Sequence, residues 1–409
     1  MRRVVQVAGD ALVIAAGGGG DAITGAALAG LLPLLKPAVV MTYSWDRLMV
    51  DPLPGPRSAD DFAGLDCLAP GVLEVVPATT AIAPAASSLP RLSAELPARL
   101  LLLDPADGVV GATMQIRSAA EFFGAGEIAL VDVGGDVLTT GTDPGLRSPL
   151  ADQLALAACV CTGLPARLLI AAPGIDGEIP AETVLARLRM LAASELPPLT
   201  EAHIGGIRDV FRWHPSEASG LLAAAASGRR GVVEVRDAGD QVTLTAATAT
   251  VFSVNAKAAM EVTPAAQLTE SRSLTQAESI VRGLTGISEL RYETKKAQRL
   301  RDRRVRSPNR SDLPTVDRFA REARARGADY ISMRRLSELL DATTLKAFAV
   351  LSGLLASERP GRYEPSIYRT TARIVSPSGR LHKPAPQTSP GGGPGPLIAG
   401  VVTSVLQSE

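Results

Sequence analysis

The sequence predicts an α/β protein built on a doubly wound, mostly parallel sheet, with a smaller, mainly helical second unit that contains a hairpin. Three observations carry that expectation. Apolar runs of strand length recur at 11–16, 38–43, 99–103, 128–132 and 167–172 without strict alternation, as strands covered on both faces require. Helical patterns at 22–35, 111–123, 149–162 and 181–193 lie between them, so right-handed crossovers follow. The first run, ALVIAA, stops in four glycines and an aspartate before a helical segment resumes. A strand ending in a glycine loop that feeds a helix brings backbone N–H groups up to a ligand, the Rossmann-like arrangement.

In chain order, residues 11–16 give the first strand, and Gly17, Gly18, Gly19, Gly20 and Asp21 give the loop. Glycine permits so tight a turn and leaves room against the main chain. The second run, 38–43, leads into Tyr43-Ser44-Trp45-Asp46-Arg47 and then Asp51-Pro52-Leu53-Pro54-Gly55-Pro56-Arg57. The prolines make a stiff loop, and Trp45, Arg47 and Arg57 are its candidate ligand-edge residues. Residues 72–78 are a further candidate strand. The run at 99–103 ends at Asp104, 128–132 runs into DVGGD (132–136), and 167–172 runs into PGIDGE with Asp176. Ser148-Pro149 places an N-cap before a proline at the first helical position, and Asp152 adds an acid in the first turn. These features make residues 1–195 a ligand-binding domain.

Residues 196–356 change in texture and are read as a second unit. Residues 199–230 look helical, 231–254 look like a hairpin turning through Ala238-Gly239-Asp240, and helices are expected near 274–304 and 314–356. Ser273 to Gln276 forms a capping-box pattern. From 371 to 409 the chain is rich in Pro, Gly and Ser and is expected to be disordered.

Bulk properties exclude several classes. Lys+Arg and Asp+Glu both number 42 and aromatics are 3%, so no basic field or stacking platform favours nucleic acid. No run of about 18 apolar residues is present to span a membrane. The basic then apolar N-terminus leads straight into structured sequence and reads as a first strand, so a cytoplasmic protein is expected. Cys67, Cys159 and Cys161 form neither a disulfide framework nor a zinc spacing.

In a parallel sheet the strand C-termini share one edge. Asp21, Asp132, Asp136 and Asp176 are therefore expected to converge there, with Asp104 as a further candidate. Asp132 and Asp136, separated by Gly134 and Gly135, suit one cation such as Mg²⁺ or a diol. Arg47 and Arg57 suit a carboxylate or phosphate through the planar guanidinium fork; the alternative is an arginine paired with a nearby loop acid such as Asp46 or Asp51. The glycine loop also fits G-x-G-x-x-A, with Asp46 as a ribose ligand. Against NAD(P), Asp21 occupies the position a pyrophosphate would take; alternatively Asp21 is simply the helix N-cap. No Ser-His-Asp or HxxxH pattern involves His203, His214 or His382, so carboxylates are the acid–base candidates. His214 reads as packed, with capping of the site as its other role. Arg291–Arg306 is a basic segment whose charges spread around a helix, which reads as a solvated face, with contact to RNA, an acidic partner protein or a substrate phosphate as the alternative.

DVGGD resembles the Asp-rich first loop of nucleoside hydrolases, though the adjacent paired aspartates of that loop are not here. Taken together, the GGGGD loop, the Trp-Asp-Arg and Asp-Pro-x-x-Gly-Pro-Arg loop, DVGGD, Ser-Pro-Leu-Ala-Asp and Ala328 to Arg335 are similar to an uncharacterised prokaryotic family, a domain of unknown function. The likeness runs over about residues 10–345 and implies that these segments belong to one site-bearing domain. The expected function is an enzyme acting on a small polar metabolite of the nucleoside or nucleotide kind. Asp21, Asp132 and Asp136 would do hydrolase or lyase chemistry, and Gly17–Gly20, Gly134, Gly135, Trp45, Arg47, Arg57 and Asp176 would bind substrate. The alternatives are a non-catalytic ligand-binding or scaffold protein and an NAD(P) oxidoreductase. The expected partners are a small-molecule substrate and a second copy of the chain.

Overall fold

The five apolar runs form five parallel strands: β1 (Ala11–Ala15), β2 (Ala38–Thr42), β3 (Ala98–Leu102), β4 (Glu127–Val133) and β5 (Ala166–Ala171). They stand in the order 3-2-1-4-5, every neighbouring pair parallel, which is the strand order of a Rossmann sheet. This computed structural model describes residues 10–32, 37–236, 239–301 and 305–371. The proline-rich tail expected to be disordered lies, apart from its first residue, outside the described residues, as do part of the hairpin turn and residues 302–304 of the basic segment.

Both faces of the sheet are covered, which explains the unbroken apolar runs. Along β1, Ala11, Val13 and Ala15 pack into one cluster while Leu12 and Ile14 pack into another on the opposite face. Alternate side chains point to opposite faces, so each residue of a doubly covered strand must be apolar. Helix α1 (Gly19–Ala27) covers the first face, and α2 (Gly108–Phe123) with α3 (Pro149–Cys161) the second.

Antiparallel strands widen the sheet to nine. Val72–Val75 and Asp66–Ala69 extend it beyond β3, and Val251–Asn255 and Ser194–Leu196 beyond β5. The segment 231–254 therefore does not stay together as one hairpin. Its first part, β6 (Gly231–Val235) with β7 (Asp240–Leu244), pairs as expected, while residues 251–255 cross into the main sheet. The sheet runs across the expected boundary at 195/196, and the described residues on both sides of it cluster as one unit.

The second region carries more strand than its sequence suggests. β6 and β7 join β8 (Tyr330–Ser332), β9 (Tyr363–Glu364) and β10 (Ile367–Arg369) in a five-stranded sheet of order 7-6-8-10-9. Strand β8 interrupts the expected helix over 314–356, dividing Leu313–Ala325 from Met333–Leu339 and Leu345–Glu358. Among the described residues no helix is long and apolar enough to cross a membrane.

Candidate active site

In the order 3-2-1-4-5 the connections leave β1 and β4 in opposite directions, opening a crevice beyond their C-terminal ends. Cavity-lining residues come from both exits: Gly17, Gly20 and Asp21 after β1, and Asp132, Val133 and Asp136 at the end of β4. The cavity holds about 500 Å³, within the range of roughly 300–1,000 Å³ usual for small-molecule sites.

The glycine loop is shaped by the protein more than by a ligand. The Gly17 amide donates to Asp21 Oδ2 at 2.9 Å, so the aspartate closes its own loop. Gly18, not Asp21, is the N-cap of α1, with φ +89°, and a Cβ there would sit 2.8 Å from the Trp45 carbonyl oxygen. Gly19 abuts Ser88 in the same way. Of the four glycines only Gly17 and Gly20 line the cavity, and the seat a pyrophosphate would need at Gly17 is taken by a carboxylate.

Six acids gather on the floor in two groups. Asp21, Asp132 and Asp152 each bring a carboxylate oxygen within 4.8 Å of the others, and Asp136, Asp176 and Glu178 do the same. The expected Asp132–Asp136 pair bridges the two groups, one member in each and the two side chains in hydrogen-bond contact. Asp152, read from the sequence only as a first-turn acid of α3, belongs to the first. In that group one oxygen of Asp132 accepts the Gly135 amide at 2.7 Å and one of Asp21 the Gly17 amide. The Asp152 carboxylate makes no hydrogen bond among the described residues. A hard, all-oxygen donor set of this kind suits Mg²⁺, Mn²⁺ or Ca²⁺.

The second group fits a cation poorly. Glu178 accepts the Arg147 amide (2.7 Å), the Ser148 amide (3.1 Å) and the Ser148 hydroxyl (2.7 Å), and faces Arg236 at 3.6 Å. It caps α3 instead. Asp176 packs on Gly134, where a Cβ would lie 2.5 Å from its Cγ. Its Oδ1 accepts the Glu178 amide, and its Oδ2 is enclosed without a hydrogen-bond partner. Gly134 and Gly135 thus clear space for Asp176 and Val184 and do not themselves line the cavity.

So many buried carboxyls cannot all ionise unaided. Burial raises Asp21 to about 7, against the Gly17 amide and Arg47. Burial, with Glu178 beside it and Arg236 opposing, raises Asp176 to about 7. Asp132 is held well above the carboxylate range by burial and then by Asp21 and Asp176. Burial and then Asp152 raise Asp136, and burial and then Asp132 raise Asp152. Among the described residues eleven acidic and six basic side chains line the cavity, so protons or a cation must balance the surplus.

One wall comes from far along the chain. Helix α4 (Glu289–Arg301) turns Glu289 and Glu293 inward, Glu293 from within the segment that reads as basic and solvated. Glu289 accepts the Leu150 amide at 2.9 Å. Glu293 accepts the Gly55 amide at 2.6 Å and the Trp45 indole N–H at 3.2 Å. Their outward neighbours Arg291, Lys295 and Arg299 are exposed. Arg236 and the residues of α5 (Met333–Leu339), Arg334 and Arg335, also line the cavity. Sequence reading did not assign any of these a place in the site.

Other expected residues have structural duties. Arg57 is buried against Asp51 at 2.9 Å and donates to the carbonyls of Pro54 and Gly55; it is absent from the cavity lining, whereas Arg47 is exposed at it. Asp46 accepts the Ser88 amide and hydroxyl at 2.9 and 2.6 Å, which leaves it committed to Ser88 rather than to a ribose. Asp104 caps local amides of Ala59 and Ala106 outside the cavity. His214 lines the cavity but is buried, its Nδ1 accepting the Ser216 amide. Burial and then Arg91 lower it to about 3, so it stays neutral.

No curated protein and no solved structure matches the chain. A family model does match, over residues 12–297, a span that takes in all six floor acids, Glu289 and Glu293 and stops short of Arg334 and Arg335. The chain belongs to that family, described as a protein of unknown function (DUF1152).

Proposed function

We propose that the chain is a divalent-cation-dependent enzyme acting on a small anionic metabolite of the nucleoside or nucleotide kind, by carboxylate-assisted hydrolysis. The observation that carries this reading is the meeting of Asp21, Asp132 and Asp152 at the crevice between β1 and β4. Those three side chains would hold the cation, which supplies Lewis-acid polarisation and an activated water when bound. Asp176, raised to about 7, is suited to exchange a proton near neutral pH. Arg47 sits exposed at the cavity, close enough to offset the charge of Asp21 and Asp176, and would draw the anionic end of the substrate toward the acids. Lyase chemistry needs the same proton carrier and is separated from hydrolysis by whether water enters the products.

The NAD(P) reading loses its support because Gly17 and Asp46 are both committed within the protein. A ligand-binding protein without turnover would bind the same compounds unchanged. The test is calorimetric titration with Mn²⁺ and Mg²⁺, then turnover screening of nucleosides and nucleotides in each metal. Cation binding that disappears in Asp132→Asn and Asp152→Asn, with turnover that needs the cation, is the expected result. Failure of the folded wild type to bind either cation ends this reading.

A further inference from the structure

Helix α4 forms a graded wall. Glu289, Glu293, Lys296 and Leu300 all line the cavity, and their spacing places them on one face of the helix. Eleven residues at 1.5 Å each make that face about 16 Å long. The two glutamates are buried, while Lys296 and Leu300 are half-buried. Tyr292, beside Glu293, lines the same cavity with 38% of its surface exposed. Two further apolar side chains, Met49 after β2 and Leu339 at the end of α5, line it and are half-buried.

The cavity therefore has two chemical zones. Its deep lining is mostly carboxylate, and its outer lining sets the basic side chains Arg47, Lys296, Arg334 and Arg335 beside apolar ones and one accessible aromatic ring. A bare phosphate or a free sugar phosphate would use the charged side chains and leave the Tyr292 ring facing water. An aromatic ring at the mouth of an ion-binding cavity suits a flat π-face.

We propose, building on the cation-assisted reading above, that the substrate is a nucleoside phosphate whose phosphate end enters toward the acid floor and Arg47 while its base lies against Tyr292. Base–aromatic stacking is worth roughly 1–3 kcal/mol by alanine substitution, or about tenfold in affinity toward the lower end of that range.

The experiment compares adenosine 5′-monophosphate with ribose 5-phosphate, which lacks the base, by calorimetry in Mg²⁺. The wild type is expected to bind the nucleotide about tenfold more tightly. Tyr292→Ala should abolish that preference while leaving ribose 5-phosphate binding unchanged, and Tyr292→Phe should keep it. Equal wild-type affinity for both probes overturns the proposal. So does a preference that survives Tyr292→Ala, a loss in that variant that is equal for both probes, or binding of neither probe by a protein that binds the cation. Direct Mn²⁺ titration, with Asp132→Asn as control, separates the two readings. Cation binding without base preference removes only this proposal, whereas no cation binding removes the function it rests on.

Discussion

Trp45 and Glu293, 248 residues apart, meet through an indole N–H to carboxylate hydrogen bond of 3.2 Å. The same carboxylate takes the Gly55 amide at 2.6 Å, so one acid of α4 fastens the loop after β2 to the cavity wall. Glu293→Ala would leave a buried indole N–H and an amide unpaired, at about 1–3 kcal/mol each. In a Trp213→Phe background, where Trp45 is the remaining tryptophan, Glu293→Ala should change Trp45 emission and lower the melting temperature. Glu293→Gln, which still accepts, should do less.

The acid floor predicts an inverted pH dependence for the cation-free protein. Asp21 and Asp176 have folded values of about 7 against 3.8 for the free side chain. The native state therefore holds their protons over an interval in which the unfolded chain has released them. Their contribution to stability is full below about 3.8 and is lost as pH rises through about 7. Asp132, Asp136, Asp152 and Glu289 shift in the same direction and prolong the decline. Melting in chelator should thus fall between pH 5 and pH 8, and Mg²⁺ should recover the loss most at the alkaline end. A cation-free melting temperature that rises over that interval would contradict the assignment.

Arg57 offers a contrast with Arg47. Asp51 is 1% exposed and its guanidinium partner lies 2.9 Å away, so Arg57→Ala would strand a buried charge at about 3–5 kcal/mol. Arg47→Ala removes an exposed side chain and should leave urea denaturation nearly unchanged while weakening anionic ligands. Equal denaturation midpoints for the two variants would refute this division.

Gly134 stands at φ +129°, and a Cβ there would overlap Asp176. Gly134→Ala should displace that carboxylate and cost about 1–3 kcal/mol in backbone strain. Turnover should fall further than Mn²⁺ affinity, because the Asp21, Asp132 and Asp152 group is not what the new methyl meets. Parallel kinetic and calorimetric titrations would read the difference.

The five parallel strands were legible because a strand covered on both faces leaves a continuous apolar run, as in LVIA and RLLIA. Strands of two or three residues such as β8 and β9 leave no such trace. Asp21, Asp132, Asp136 and Asp176 could be found because each lies at or just after a strand end on one sheet edge. Asp152 looked like an ordinary helix-start acid, a role that predicts the same residue at the same place. Glu289 and Glu293 were hidden by their surroundings. A helix reading ELRYETKKAQRLR has no apolar stripe to announce a buried face, and only its packing over the cavity turns those glutamates inward. Arg57 was misassigned because sequence gives the reach of a guanidinium but not which of two nearby anions it meets.

The strand Val251–Asn255 runs antiparallel along β5 with five paired residues, from a part of the chain that begins well after the glycine and aspartate loops. A fragment ending at residue 195 would leave the outer rim of β5 bare, its N–H and C=O groups unmet beside a row of Leu and Ile. Bare rims of that kind recruit other strands. The two halves of this chain are thus obliged to fold together, and a shortened form should self-associate rather than persist as a small soluble Rossmann unit.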